Sequence, residues 1–308
     1  MKSKLLSLFI ITFIAVGAMA PVAPQEDPGS SSARFLIIGD WGGFASEKQK
    51  SVATAMGKEA QRNRDQFVVT VGDNYHGKGI GSATDPRWKT EYEDIYSDSS
   101  LQVPWYPTLG NHDYEGSPDA ELDYSHYSKR WKFHHRYYDQ RKKIDDSTKI
   151  LIIHLDTSPF VTEYQQRDDQ YHVKEQDVAK QTRWLDSLLS ASSDRWVIVV
   201  GHHPIYSAAP KHGDTPELKS AILPILERHH VPVYICGHDH IMQHLEDNAM
   251  DFFVCGGGAE HRDVNERGDV VYGTGSLGFL SVTAYRDSLN FSMFDENNVL
   301  LHQATFKK

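Results

Sequence analysis

Five short apolar runs punctuate the first three quarters of the chain: Phe35-Leu36-Ile37-Ile38, Phe67-Val68-Val69-Thr70-Val71, Ile150-Leu151-Ile152-Ile153, Trp196-Val197-Ile198-Val199-Val200 and Val231-Pro232-Val233-Tyr234-Ile235-Cys236. Their length and β-branched content predict buried strands. Residues 47–62, 175–189 and 218–229 place apolar side chains at helical spacing instead. Strand and helix in alternation predict parallel strands with helices on both faces. Later runs, at 251–255, 278–282 and 289–294, lack intervening helices and read as antiparallel strands. The pattern is an α/β fold, whose ligands bind beyond the carboxyl ends of the strands.

The first 20 residues break this pattern. Lys2 and Lys4 precede an uncharged apolar run, Leu5 to Val16, and Ala18-Met19-Ala20 offers small residues for cleavage. This reads as a signal peptide, too short to span a bilayer comfortably. Residues 21–33, rich in Pro, Ser and Ala, read as a flexible leader, and 34–308 as one domain. The expectation is a secreted or lumenal monomer without stable membrane insertion. The sequon Asn290-Phe291-Ser292 fits an exported glycoprotein. Cys236 and Cys255 lie in apolar, strand-like runs, where a disulfide and two buried thiols are both open. A net charge of −10 excludes nucleic acid as the main partner, because phosphate backbones are held by clustered Lys and Arg. It does not exclude phosphorylated small molecules or phosphoproteins, since a metal site supplies its own positive charge.

The chemistry lies just past the strand ends: Gly39-Asp40-Trp41-Gly42-Gly43, Gly72-Asp73-Asn74-Tyr75-His76, Gly110-Asn111-His112-Asp113, Gly201-His202-His203-Pro204 and Gly237-His238-Asp239-His240. A lone Gly-Asp is a turn and a lone Gly-His is structural more often than not. Five in order, each delivering carboxylate, amide or imidazole to one crevice, describe a site for Fe, Mn, Zn or similar ions.

These segments, with Val103-Pro104-Trp105-Tyr106 and Ser128-Lys129-Arg130-Trp131, resemble the calcineurin-like metallophosphoesterases. More closely, they are similar to the small mammalian-type purple acid phosphatases, also called tartrate-resistant acid phosphatases. The likeness runs from Arg34 to Phe306. It implies a four-layer sandwich, two mixed β-sheets flanked by helices, with two metals at one edge. By position, Asp40, Asp73, His240 and residue 76 would hold the first metal. Asp73 would bridge to a second metal held by Asn111, His202 and His238. His112 would contact the phosphate, and His212 would be a second substrate-facing histidine. The resemblance implies iron at one site and a second divalent ion (Fe, Zn or Mn), and an acid optimum. Two cations neutralise phosphoryl oxygens and lower the pKa of a bound water, whose hydroxide attacks phosphorus in line; a histidine protonates the leaving group.

One position departs from the family. Where purple acid phosphatases carry the tyrosine whose phenolate binds Fe(III) and gives the colour, this chain has His76, with Tyr75 one place earlier. His76 binds as imidazole, or Tyr75 is brought in, or neither binds. The first reading is favoured, since imidazole suits first-row metals and adjacent residues of an extended segment point opposite ways. A protein that is not purple is then expected. Among the other histidines, His203 is expected to pack beside the ligands, and His244 and His261 to approach the site rim. His134, His135, His154, His229 and His230 read as surface or structural. By resemblance, residues 159–175 form an exposed loop over the site. Three activities stay open: monoester hydrolysis, diester or nucleotide hydrolysis on the same core, and a binding scaffold weakened at position 76.

Overall fold

A computed structural model describes residues 31–308. The signal-peptide reading and leader residues 21–30 lie outside the described residues. Ala33, assigned above to the leader, is instead the buried first residue of a strand.

The apolar runs build two mixed sheets. The first contains β1 (Ala33–Ile38), β2 (Phe67–Thr70) and β3 (Trp105–Tyr106), which run parallel. The second begins with β4 (Tyr138–Lys143), β5 (Lys149–His154), β6 (Trp196–Val200) and β7 (Val233–Cys236). It continues with β8 (Met242–Asp247), β9 (Met250–Cys255) and β10 (Val270–Thr274). β11 (Gly278–Ala284), β12 (Ser288–Asp295) and β13 (Leu300–Lys307) return antiparallel to the first sheet. The strand orders are β13-β12-β11-β1-β2-β3 and β10-β8-β9-β7-β6-β5-β4.

Alternate side chains of each strand enter different layers. Phe35, Ile37, Phe67 and Val69 meet Ile150, Ile152, Ile198, Val200 and Phe253 between the sheets. Leu36, Ile38 and Val68 face outward onto Val52, Met56 and Ala60 of the helix Glu47–Asn63. On the other side, Leu151, Ile153 and Val199 meet Leu185 and Leu189 of the helix Val178–Ala191. The result is helix, sheet, sheet, helix. The single helix expected over 218–229 is two, Pro216–Ala221 and Leu223–Arg228. Pro224 falls at the start of the second, where its ring breaks the preceding hydrogen-bond ladder.

Register aligns the strand ends. Ile38 pairs with Thr70, and Val200 with Ile235. Beyond them the loops stay bonded: Asp40 N donates to Gly72 O at 2.9 Å and Gly237 N to His202 O at 3.0 Å. The Asp and His segments therefore emerge side by side at one edge of the sandwich.

Behind that edge sits an aromatic cluster. Trp41 packs against Tyr75, Tyr92, Tyr96, Trp105 and Trp131. Its indole N–H donates to Asn74 Oδ1 at 3.0 Å, tying the Asp40 loop to the Asp73 loop. Cys236 and Cys255 are free, buried thiols, so the disulfide alternative is not realised. Asn290 of the sequon is half-buried in the middle of β12, bonded between two strands rather than on a loop.

Candidate metal centre

Three of the functional side chains are aimed by an unusual backbone. Asp40, Asp73 and His238 all take left-handed conformations, at φ 55°, 49° and 68°. A non-glycine residue costs about 1–3 kcal/mol there and persists only where its surroundings enforce it. The loops are also packed backbone to side chain. A Cβ on Gly110 would lie 2.1 Å from Asp73 Oδ1, and one on Gly237 would lie 2.3 Å from Asp40 Oδ2. Gly110→Ala is therefore expected to push Asp73 aside, costing about 1–3 kcal/mol of stability, the scale of overpacking in a tight site. It should also release metal. Thermal melts and metal content of the purified variant check this.

Asp40, Asp73, His76, Asn111, His202, His238 and His240 come together in one cleft. All are nine-tenths or more buried except His238, which is partly exposed. Asp73 stands between two sets. Its Oδ2 is 3.5 Å from His76 Nε2, and its Oδ1 is 3.4 Å from His202 Nε2. On the first side, Asp40 Oδ1 is 3.4 Å from His240 Nε2. On the second, His202 Nε2 faces Asn111 Oδ1 and His238 Nδ1, each at 3.2 Å.

These separations serve as a test of fit. Good N–H···O bonds are about 2.7–3.2 Å long. Two donors that share one cation at about 2.0–2.2 Å stand roughly 3–3.5 Å apart at tetrahedral or octahedral angles. The carboxylate–imidazole gaps match the second case. Asp40 Oδ1 and His76 Nε2 are buried without any hydrogen-bond partner, though both have the chemistry of ligands. His202 Nδ1 must carry its proton, because it lies 2.9 Å from the Val71 carbonyl, which only accepts. That leaves Nε2 as the atom aimed into the cleft, the one that would give its lone pair to a metal. The donor set fits two metal ions.

In the metal-free site, the charges pull on one another. Burial drives His76 and His202 toward neutrality, but the Asp73 carboxylate outweighs it and raises each to about 9. Reciprocally, the two imidazoles hold Asp73 well below the usual carboxylate range against its own burial. Asp113 works behind the ligands. It accepts from Gly110 N at 2.8 Å, Tyr75 N at 3.0 Å and Asn74 N at 3.2 Å, clamping two loops together. His240 Nδ1 is backed by Glu260 Oε2 at 3.2 Å.

Tyr75 turns away. Its ring is buried among Trp41 and Trp88, and its hydroxyl finds no hydrogen-bond partner. The alternative that local adjustment brings Tyr75 into the site does not hold; alternate side chains of an extended segment diverge, and His76 is the one that enters.

The cleft opens into a cavity of about 250 Å³ bordered by His112 and His212. His112 sits one residue beyond Asn111, half-exposed, with its amide donating to Asp73 Oδ1 at 2.9 Å. The His212 ring lies 4.3 Å from that of His238. Burial, then Lys211 and Arg262, lower His212 to about 4, so it is a neutral imidazole facing Arg262 Nη1 at 3.4 Å. His203 packs beside the ligands, held between Thr157 Oγ1 at 2.9 Å and the Tyr164 hydroxyl at 3.1 Å.

Two expectations need correction. His244 is not at the rim. It is buried on β8, bonded to Asp251 Oδ1 at 2.6 Å and His302 Nε2 at 3.0 Å. The 159–175 segment lies over the cavity with most of its side chains exposed or half-exposed, as expected, but it is built of short helical turns, Ser158–Phe160, Thr162–Gln166 and Asp168–Tyr171, rather than loop. Tyr164 and Tyr171 pack on each other, with Tyr164 against His203, and both border the cavity. Sequence reasoning missed Glu260, Arg262 and these tyrosines, which carry no local motif. It also gave Asp113 no role, although that residue stands inside the Gly110-Asn111-His112-Asp113 segment.

Residues 33–242 match the family model described as calcineurin-like phosphoesterase. Purple acid phosphatase 17 of Arabidopsis thaliana is 36% identical over 270 residues, covering 84% of this chain and 78% of the relative. Tartrate-resistant acid phosphatase type 5 of Sus scrofa is 36% identical over 240 residues, covering 73% and 69%. Among solved structures, GAP50, the anchor in the inner membrane complex of Plasmodium, superposes with a TM-score of 0.79 at 23% identity, covering 90% of this chain and 89% of the other. The purple acid phosphatase PPD1 of yellow lupin gives 0.64 at 16%, covering 90% and 54%. Those two structural likenesses speak to the fold, while the sequence matches speak to descent. The chain belongs to the calcineurin-like phosphoesterases and, within them, to the purple acid phosphatases: it is a phosphatase built around a dinuclear metal site.

Proposed function

We propose that the protein hydrolyses phosphate monoesters with His76 serving the first metal where its relatives use tyrosine. The observation that carries this reading is the His76 imidazole: buried, aimed between Asp73 and Asp40, and without any hydrogen-bond partner on Nε2. Asp40, His76 and His240 would hold one ion, His202, His238 and Asn111 the other, with Asp73 between them. Two bound cations supply charge neutralisation at the phosphoryl oxygens and lower the pKa of a bound water. The chain's own residues do the rest. His212, on the cavity wall, faces the phosphoryl group. His112, on the cavity side of Asn111, gives a proton to the leaving oxygen. Tyr164 and Tyr171 cover the cavity and restrict water.

An imidazole carries no negative charge, so this first site favours Fe(III) over a divalent ion less than a phenolate site does. Fe, Zn and Mn are the candidate ions. The charged start and apolar run of residues 2–16 support export, and among the described residues no helix is long and apolar enough to cross a membrane. Small phosphorylated molecules or phosphoproteins are the fitting substrates, acted on by a monomer.

A cavity of about 250 Å³ favours monoesters over diesters, which need room for a second ester group. A diester also lacks one anionic oxygen. Losing one charge-assisted contact is worth roughly tenfold or more. Metal-loaded protein is expected to show at least that preference in kcat/KM for phenyl phosphate over bis(4-nitrophenyl) phosphate. Equal or reversed preference would move the assignment to diester hydrolysis.

A further inference from the structure

The cavity wall holds two cations that the protein does not neutralise. Lys211 is exposed at the edge of the cavity, and half-buried Arg262 borders the same space. Among the described residues, neither side chain is paired with a carboxylate. Arg262 reaches the His212 imidazole at 3.4 Å, and Lys211 has no polar partner. The third cation of the wall behaves differently, since Arg167 is tied to Glu163 at 2.8 Å and to Gln170. Acidic residues are not scarce: there are 42 against 32 Lys and Arg. Two like charges left together raise the local potential, which is stabilising only when an anion arrives from outside.

The arrangement is also preorganised. Arg267 Nη1 donates to Ser207 O at 2.9 Å and Asp214 Oδ1 at 2.7 Å, and Asn265 N donates to Ala208 O at 2.9 Å. The loop carrying Lys211 and His212 is thus pinned to the segment carrying Arg262, whose own N–H donates to His240 O at 2.8 Å. A pinned backbone leaves only the side chains to be ordered on binding, which lowers the entropy lost. Asp73, Asn111, His238 and His240 line the floor of this same small cavity, so a phosphoryl group there leaves the rest of the substrate beside Lys211 and Arg262.

We propose that Lys211 and Arg262 form a second anion subsite, which selects phosphate esters and anhydrides whose leaving group is or carries a phosphate or carboxylate. This rests on the phosphatase reading above and adds a substrate class to it.

The test compares metal-loaded wild type with Lys211→Glu and Arg262→Gln on phenyl phosphate, 3-carboxyphenyl phosphate and inorganic pyrophosphate. The last two distinguish a carboxylate from a phosphate as the second anion. The expected result is that the kcat/KM ratio of at least one charged substrate to phenyl phosphate falls about tenfold in each variant, the scale of one charge-assisted hydrogen bond. An Arg262 that only positions His212 lowers all three substrates alike. Unchanged ratios in both variants overturn the subsite. Equilibrium binding of methylenediphosphonate against methylphosphonate is measured on the same proteins. Absence of turnover on every substrate would sink the phosphatase reading. The binding arm still decides the subsite: tighter diphosphonate binding that Lys211→Glu loses upholds it, and equal binding overturns it.

Discussion

Asp73→Asn is expected to lower phosphomonoester turnover by about a thousandfold, the upper range for removing one electrostatic element of a reaction centre. Asp73 alone touches both halves of the site, one oxygen toward His76 and the other toward His202. An amide keeps the shape and the hydrogen bond from His112 N but removes the charge both cations need. Metal content should fall with activity while the far-ultraviolet circular dichroism stays that of the wild type. The metal-free proteins offer a second readout. A depressed Asp73 contributes stability that is present above its unfolded value near 3.9 and is lost as pH falls further. Raised imidazoles at His76 and His202 contribute stability present below about 6.5 and lost as pH climbs toward 9. This cluster therefore stabilises metal-free wild type most between about pH 4 and 6.5. Asp73→Asn should flatten that profile, seen as melting temperature against pH. A variant that keeps wild-type turnover would remove Asp73 from its bridging place.

Colour supplies the second large effect. Iron-loaded wild type is expected to lack a tyrosinate-to-Fe(III) absorption band, and His76→Tyr to acquire one. Tyr75 points into the aromatic cluster, and of the two tyrosines that border the cavity, Tyr164 has its hydroxyl bonded to His203 and Tyr171 packs on Tyr164. The buried Tyr75 hydroxyl has no partner, and burial pushes its pKa well above the usual value, so it does not ionise. Tyr75→Phe should therefore leave metal content and spectrum untouched. It should also stabilise the protein by about 1 kcal/mol, by removing an unsatisfied polar group. A visible band in wild type that Tyr75→Phe abolishes would reverse these assignments.

Much of this centre was legible in the sequence because its logic is local. Strand period, strand-end glycine and the residue after it lie within a few positions of one another, so Asp40, Asp73, His202 and His238 could be read in order. The choice between Tyr75 and His76 was also legible, through the two-residue alternation of an extended segment. The edge strands were harder. β4 reads Tyr-Asp-Gln-Arg-Lys-Lys and is only half covered, so it lacks the apolar run that marked the buried strands. β13 alternates between exposed and half-buried side chains for the same reason. Contacts formed only by folding left no trace in the sequence. Glu260 reaches His240 from 20 residues away, and Arg262 meets His212 across 50. The helical turns of 159–175 are illegible for another reason: the polar composition reads as loop, yet the buried Tyr164 and Tyr171 dock the segment.

The central claim is that two ions, held in part by His76, are needed for phosphate transfer to water. The most direct test titrates metal-free wild-type protein with Zn, Mn or Fe while monitoring phosphomonoester hydrolysis. Activity is expected to climb with added ion and to break at two equivalents per chain. A break at one equivalent, or full activity under chelation, would contradict it, and no activity with any ion would favour a binding scaffold instead.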